Sequence, residues 1–240
     1  MIKKIVRRIL FGYKSSSETY VNFLKKKGVK MGKNIKIYCP HQTVIDILNP
    51  HLLEIGSDVI MTGPVTVLNH DGSVCVLKKW TGGEILGKQR TTTIGNNVFL
   101  GYGCCILPGT KVGDNTIIGA YSVVSGILES DSVYTGNPAK RICSIEEYYR
   151  KTKNHQVEDA CEIYRRYKNI YNQIPPRELF HEYFYLFEGA NYDTLPNEFK
   201  KKFYDLGNYN ENVEYFRNHK PVFHSYEDFC TFAESNGDQR

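Results

Sequence analysis

The sequence predicts a mainly β fold with α additions: a solenoid of short parallel strands flanked by helices at both ends. Three observations predict it. Apolar residues recur every six positions through much of the first half, a glycine repeatedly follows the periodic position, and helical periodicity takes over on either side. The 240 residues, 41% apolar and 24% charged, suffice for one substantial core or two modest ones and fit a soluble globular chain. Apolar runs fall far short of the roughly 20 residues needed to cross a bilayer, and no apolar stretch leads to a small-residue cleavage site. The expected location is therefore cytoplasmic.

From the N-terminus, residues 1–36 hold eleven Lys or Arg against the single acid Glu18, a net charge of +10 that leaves −5 for the rest of the chain. Ile2, Ile5, Val6, Ile9 and Leu10 follow the i, i+3, i+4, i+7, i+8 stripe of a helix, with Lys3, Lys4, Arg7 and Arg8 on the other face. The favoured expectation is that this helix caps the next domain; the alternative is that residues 1–12 lie on an anionic membrane surface. Ser15-x-x-Glu18 reads as a capping box for a second helix that Gly28 stops. Residues 1–29 form the basic helical segment.

The six-residue period starts at Met31 and lands on Ile37, Thr43, Asn49, Ile55, Met61 and Val67, then resumes at Ile94 with Leu100, Ile106, Val112, Ile118 and Val124. Four residues after the periodic position come small or β-branched side chains, among them Val59, Val65, Val98, Cys104, Thr110, Thr116 and Ser122. Neither helix nor alternating strand has this period. Stacked coils of short strands do, with one apolar residue pointing to the axis, a small one beside it, and glycine easing a tight corner. The registers before and after the interval 68–93 do not join, so a loop of irregular length interrupts the solenoid, which spans residues 30–143. His70 stands at the root of that loop.

Seven cysteines without any C-x-x-C suggest reduced thiols rather than a disulfide framework or zinc cluster, and Cys104 and Cys105 read as packing residues. Residues 144–240 are read as a helical extension. Ser144-x-x-Glu147 opens a helix to about Asn172, Pro175 and Pro176 end it, and further helices are expected over 177–188, 197–205, 212–217 and 226–234. Aromatics at helical spacing there are expected to be core, with a sugar platform around His181 and His224 as the alternative.

The stretch IGNNVFLGYGCCILPGTKVGDNTIIGAYSVVSG, Ile94 to Gly126, followed by GNPAKRI, Gly136 to Ile142, resembles the hexapeptide-repeat acyltransferases, and within them the sugar and polysaccharide O-acetyltransferases. The resemblance covers about residues 30–142. It implies a left-handed parallel β-helix, acetyl-CoA as cosubstrate, no metal, a saccharide acceptor, no nucleic-acid partner, and a homotrimer with active sites between copies. It also implies that His70 is the catalytic base, a role that suits the side chain whose unperturbed pKa lies nearest neutrality. Asp71, Asn69 or a backbone carbonyl would hold its other ring nitrogen. The amides of Gly101, Tyr102 and Gly103 are candidates for stabilising an oxyanion.

By the same resemblance Phe99 and Gly101 to Gly103 line the pantetheine path, Gly119, Ala120 and Ser122 flank it, and Lys140 and Arg141 after Pro138 face the coenzyme phosphates. Two departures stand out: Tyr121 replaces a common glycine, and Ser125-Gly126 replaces a threonine-lysine pair that would contact phosphate. The expected activity is O-acetylation of a saccharide in surface polysaccharide synthesis. Alternatives are N-acetylation of an amino-sugar nucleotide or an antibiotic, and a non-catalytic β-helix binding module. A metal hydrolase would need three histidines around one ion, and His70 has no partner at repeat spacing.

Overall fold

The computed structural model describes residues 2–235, with side chains from residue 5 onward. It divides into two compact units, residues 1–149 and 150–240.

In the first unit, strands two to five residues long stack into three parallel sheets that form the faces of a prism. The first face contains Lys30–Met31, Leu53–Ile55, Thr92–Ile94, Lys111–Val112 and Ile127–Leu128. The second contains Lys36–Ile37, Ile60–Met61, Val98–Leu100, Thr116–Ile118 and Ser132–Thr135, closed by the antiparallel strand Lys140–Ser144. The third contains Val44–Ile45, Thr66–Val67, Cys105–Ile106 and Val123–Val124. The periodic residues fill the axis: Ile55, Met61, Val67, Ile94, Leu100, Ile106, Val112, Ile118 and Val124 are all buried, as are the small residues four positions on. Each such side chain contributes about 1.5–3 kcal/mol of burial, which is what holds two- and three-residue strands in place.

Two positions of the six-residue count are corrected by the register. The residue paired with Val67 is Ile45, eight positions after Ile37, and not Thr43. Two extra residues in the turn beginning at Cys39 shift the frame, and Thr43 becomes the buried small residue at the corner, its hydroxyl donating to Cys39 O at 3.0 Å. Ile55 then lies ten positions after Ile45, with the turn Pro50–Leu52 between them, so Asn49 lies outside the stack. The glycine role is corrected as well. The left-handed residues at the corner between the first and second faces are Asn34, Asp58, Asn97, Asn115 and Asp131, with φ from 52° to 58°. The preceding glycines instead allow neighbouring coils to approach: a Cβ on Gly56 would stand 2.4 Å from Gly95 O.

Helix α1 (Ile2–Phe11) leads through a short turn to α2 (Ser17–Lys27). The cap of α2 is Ser16 with Thr19, each side chain bonding the other's backbone N–H, rather than Ser15 with Glu18. Ser15 has helical backbone angles inside the preceding turn and therefore cannot serve as the cap. Gly28 ends α2 at φ 104°, as expected. Tyr20 and Leu24 of α2 bury against the solenoid core, but the apolar residues of α1 are exposed from Ile5 to Phe11, so α1 does not cap the solenoid.

Helix α3 (Ile145–Tyr171) opens with the predicted box: Ser144 N–H donates to Glu147 Oε2 at 2.7 Å and Glu147 N–H to Ser144 Oγ at 3.1 Å. In the second unit, α4 (Asn197–Asp205), α5 (Tyr209–Asn218) and α6 (Tyr226–Ser235) surround an aromatic core that includes Tyr164, Phe180, Phe184, Phe199, Phe216 and Phe229. The single helix expected over 177–188 is two 3-10 turns, Arg177–Phe180 and Phe184–Leu186. One α-helical face cannot bury Phe184, Leu186 and Phe187 together, and the core takes all three. Among the described residues no helix is long and apolar enough to cross a membrane.

Candidate active site

Both irregular connections of the solenoid leave from the same corner, between the third and first faces. The first, residues 46–52, follows Ile45; the second, residues 68–91, follows Val67 one coil later. Their stacking puts Asp46 beside His70. Asp46 Oδ2 contacts His70 Nδ1 and also accepts Asn69 N–H at 3.1 Å, while Oδ1 accepts Leu48 N–H at 3.0 Å. The Asp46 side chain is 6% exposed, that of His70 42%. Burial alone would push the Asp46 carboxyl pKa up. The bonds from Leu48, His70 and Asn69 outweigh it and hold the group below its ordinary value.

An ionised carboxylate only accepts, so the contact requires His70 to carry its proton on Nδ1. In the neutral ring Nε2 then presents a lone pair, and it makes no hydrogen bond among the described residues. That arrangement can take a proton from an incoming hydroxyl and stabilise the resulting imidazolium.

The partner of His70 is therefore neither Asp71 nor Asn69. Asp71 turns away to cap the turn Gly72–Lys79, accepting Ser73 N–H at 2.8 Å and pairing with Lys88 Nζ at 2.5 Å, contacts that hold its pKa at about 2. Asn69 is fully buried and its side-chain amide donates to Asn49 O at 2.8 Å, staying clear of the imidazole. Its Oδ1 has no partner among the described residues. The loop is pinched at its root by Arg90 N–H to Asn69 O (2.9 Å) and Asp71 N–H to Lys88 O (3.0 Å). Beyond the root, Trp80 is 79% and Ile85 97% exposed. Asp46 is the site residue that sequence reasoning did not place beside His70. The long interval between Ile45 and Ile55 was the signal that could have marked it.

The residues assigned to the coenzyme lie on a different corner, between the second and third faces. Gly101, Tyr102 and Gly103 occupy it in one coil, Gly119, Ala120, Tyr121 and Ser122 in the next, with Pro138 beyond them. Of the three proposed oxyanion donors, Gly101 N–H is taken by Ile118 O and Gly103 N–H by Pro64 O, both at 2.8 Å. Tyr102 N–H and Ala120 N–H make no backbone bond among the described residues. Ser122 is spent internally, its hydroxyl donating to Gly119 O at 2.7 Å and accepting Gly136 N–H at 3.1 Å. Tyr121 takes the left-handed conformation at φ 56°, and its ring lies edge-on to Tyr102, 5.6 Å between centroids.

Lys140 is exposed, while Arg141 Nε donates to Ser132 Oγ at 2.9 Å. Phe99 lines a groove of about 380 Å³ on the second face with Ile60, Ile117 and Tyr148, a groove that His70 does not reach. Cys104 is buried with its thiol pushed up to about 12 by desolvation, which removes it as a nucleophile. No group of three His, Cys, Asp or Glu able to hold a metal occurs among the described residues. One chain thus brings Asp46 to His70 and brings neither to the coenzyme corner. Six residues a side at about 3.3 Å per residue set the corners on the order of 15–20 Å apart.

A three-faced parallel solenoid with a single long loop rooted at a His–Asp pair defines a transferase built from hexapeptide repeats. The bacterial transferase hexapeptide (six repeats) family matches residues 91–126. Protein CapG of Staphylococcus aureus is 38% identical over 128 residues, 53% of this chain and 73% of CapG. WbbJ of Escherichia coli (strain K12), which carries the name of a lipopolysaccharide biosynthesis O-acetyl transferase, is 29% identical over 55% of this chain and 72% of its own length. A galactoside acetyltransferase structure in complex with coenzyme A aligns at 24% identity over 60% of this chain and 80% of that one, with a TM-score of 0.39, too loose to carry residue assignments. The chain belongs to the hexapeptide-repeat acyltransferase family, whose left-handed parallel β-helix it shares.

Proposed function

We propose that the protein is an acetyl-CoA-dependent O-acetyltransferase acting on a saccharide in surface polysaccharide synthesis, with His70 as general base. The observation that carries this reading is the Asp46–His70 pair, whose open Nε2 stands at the root of the long loop. The name of WbbJ supports the hydroxyl acceptor and the polysaccharide context. In the proposed reaction, Nε2 takes the acceptor hydroxyl proton as that oxygen attacks the thioester carbonyl. Asp46 stabilises the imidazolium, the tetrahedral oxyanion collapses, and the departing coenzyme A sulfur receives the proton from His70.

The oxyanion and pantetheine would meet the free amides of Tyr102 and Ala120, and Lys140 would face the phosphates. Because that corner and His70 lie on separate edges of the prism, the complete site forms between two copies, as in a homotrimer. Exposed Trp80 and Ile85 on the loop fit a surface that a neighbour covers. The reading places the enzyme in the cytoplasm, at the membrane face through residues 1–12.

The test is release of free thiol from acetyl-CoA across a panel of saccharides, amino-sugar nucleotides and antibiotics. Native protein should acetylate a sugar hydroxyl, and His70→Ala should lower kcat by about 10²–10⁴ with acetyl-CoA affinity retained. Turnover unchanged in His70→Ala, or amine-only acceptors, would refute the reading.

A further inference from the structure

The N-terminal hairpin of α1 and α2 carries a surface that acetyl transfer does not use. Ile9 is 78% and Leu10 69% exposed, and Ile5 and Val6 are exposed beside them. At about 100° per residue these four share one stripe, and Arg7 and Arg8 stand on its two flanks, each about 130° from its centre. The helix contains no acidic residue. Between α1 and α2 lies a groove of about 510 Å³, with Arg8 on one wall and Asn22 and Lys26 on the other. Tyr13 and Phe23, stacked at 3.8 Å, also line it. Neither Arg8 nor Lys26 makes an ion pair among the described residues.

We propose that this groove receives the phosphodiester headgroup of an anionic lipid while the stripe enters the bilayer interface, docking the enzyme on an anionic membrane. Cations flanking an apolar stripe match the level at which lipid phosphates lie above acyl chains. A second copy fits less well in a symmetric contact, because it would bring the same +10 segment against itself. The docking rests on α1 and α2 alone. Its consequence for the acceptor, a saccharide carried on a lipid, rests on the transferase reading.

Co-sedimentation of the full chain with vesicles tests the proposal. Vesicles of phosphatidylcholine containing about one third phosphatidylglycerol should bind at least about tenfold more tightly than phosphatidylcholine alone, and added salt should weaken that binding. Ile9→Glu with Leu10→Glu should abolish it. Arg8→Glu with Lys26→Glu should lower it by about tenfold or more, whereas Lys33→Glu with Lys111→Glu, the same charge change away from the groove, should lower it less than about threefold.

Equal binding to both vesicles, equal loss in the two charge pairs, or binding that survives Ile9→Glu with Leu10→Glu would overturn the proposal. So would full competition by inorganic phosphate at matched concentration, which would indicate a free-anion site. A fall in sedimenting mass of Ile9→Glu with Leu10→Glu, without vesicle binding by the native chain, would assign the stripe to a second copy instead. His70→Ala should bind vesicles as the native chain does, so failure of docking and failure of acetyl transfer are separable.

Discussion

At the scale of single residues, Asp46 decides which ring nitrogen of His70 stays open. Asp46→Asn keeps the shape but no longer demands the Nδ1 proton, so kcat should fall by roughly 10–100-fold with acetyl-CoA KM unchanged. Asp46→Ala should also destabilise by about 2–4 kcal/mol, because the Leu48 and Asn69 amides lose their acceptor. The lowered pKa of Asp46 fixes the sign of the pH dependence. Its stabilising contribution is full above the ordinary value near ~3.9 and is lost only as pH falls through the lower folded value. The part of the melting difference between native and Asp46→Asn that this charge supplies should therefore be lost only below about pH 4, as calorimetry can follow. His70 was legible because it breaks a period. Asp46 was not, because its role comes from stacking against the next coil, 24 residues away.

At the scale of elements, the hexads announced the strands and their buried residues, yet counting by six failed where the chain carries two extra residues between Ile37 and Ile45. A turn of eight instead of six has no sequence mark beyond a polar residue, Thr43, where an apolar one was due. The glycines were placed correctly and explained wrongly, since what they permit is contact between coils. Gly56→Ala should thus destabilise by at least about 2 kcal/mol, whereas Gly72→Ala, with nothing within 4 Å of the added Cβ, should stay within about 0.5 kcal/mol of native in urea unfolding. In the tail, capping residues fixed where α3 begins, while the aromatic run from Phe180 to Phe187 broke into 3-10 turns because tertiary packing overrode local helical spacing.

At the scale of the whole molecule, the two corners predict complementation. His70→Ala and Lys140→Glu with Arg141→Glu should each be inactive alone. Refolded as a random mixture, about one site in four joins an intact His70 corner to an intact coenzyme corner, and about a quarter of native turnover should return. No recovery would mean that each copy works by itself. Trp80 is the only tryptophan, so its emission should shift to the red when dilution separates the copies and exposes the loop. A site between copies was an implication of the resemblance alone, since periodicity pointed only to stacked coils and gave no reason to divide a site between their edges.

The pinched root of the long loop makes residues 72–87 a cassette. The strand-to-strand spacing of the coils runs from Val67 to Ile94 through the clasp formed by Asn69, Asp71, Lys88 and Arg90, and everything distal to that clasp hangs outside the stacking. Natural or directed variation can therefore replace that arm wholesale while the scaffold and its imidazole remain in register.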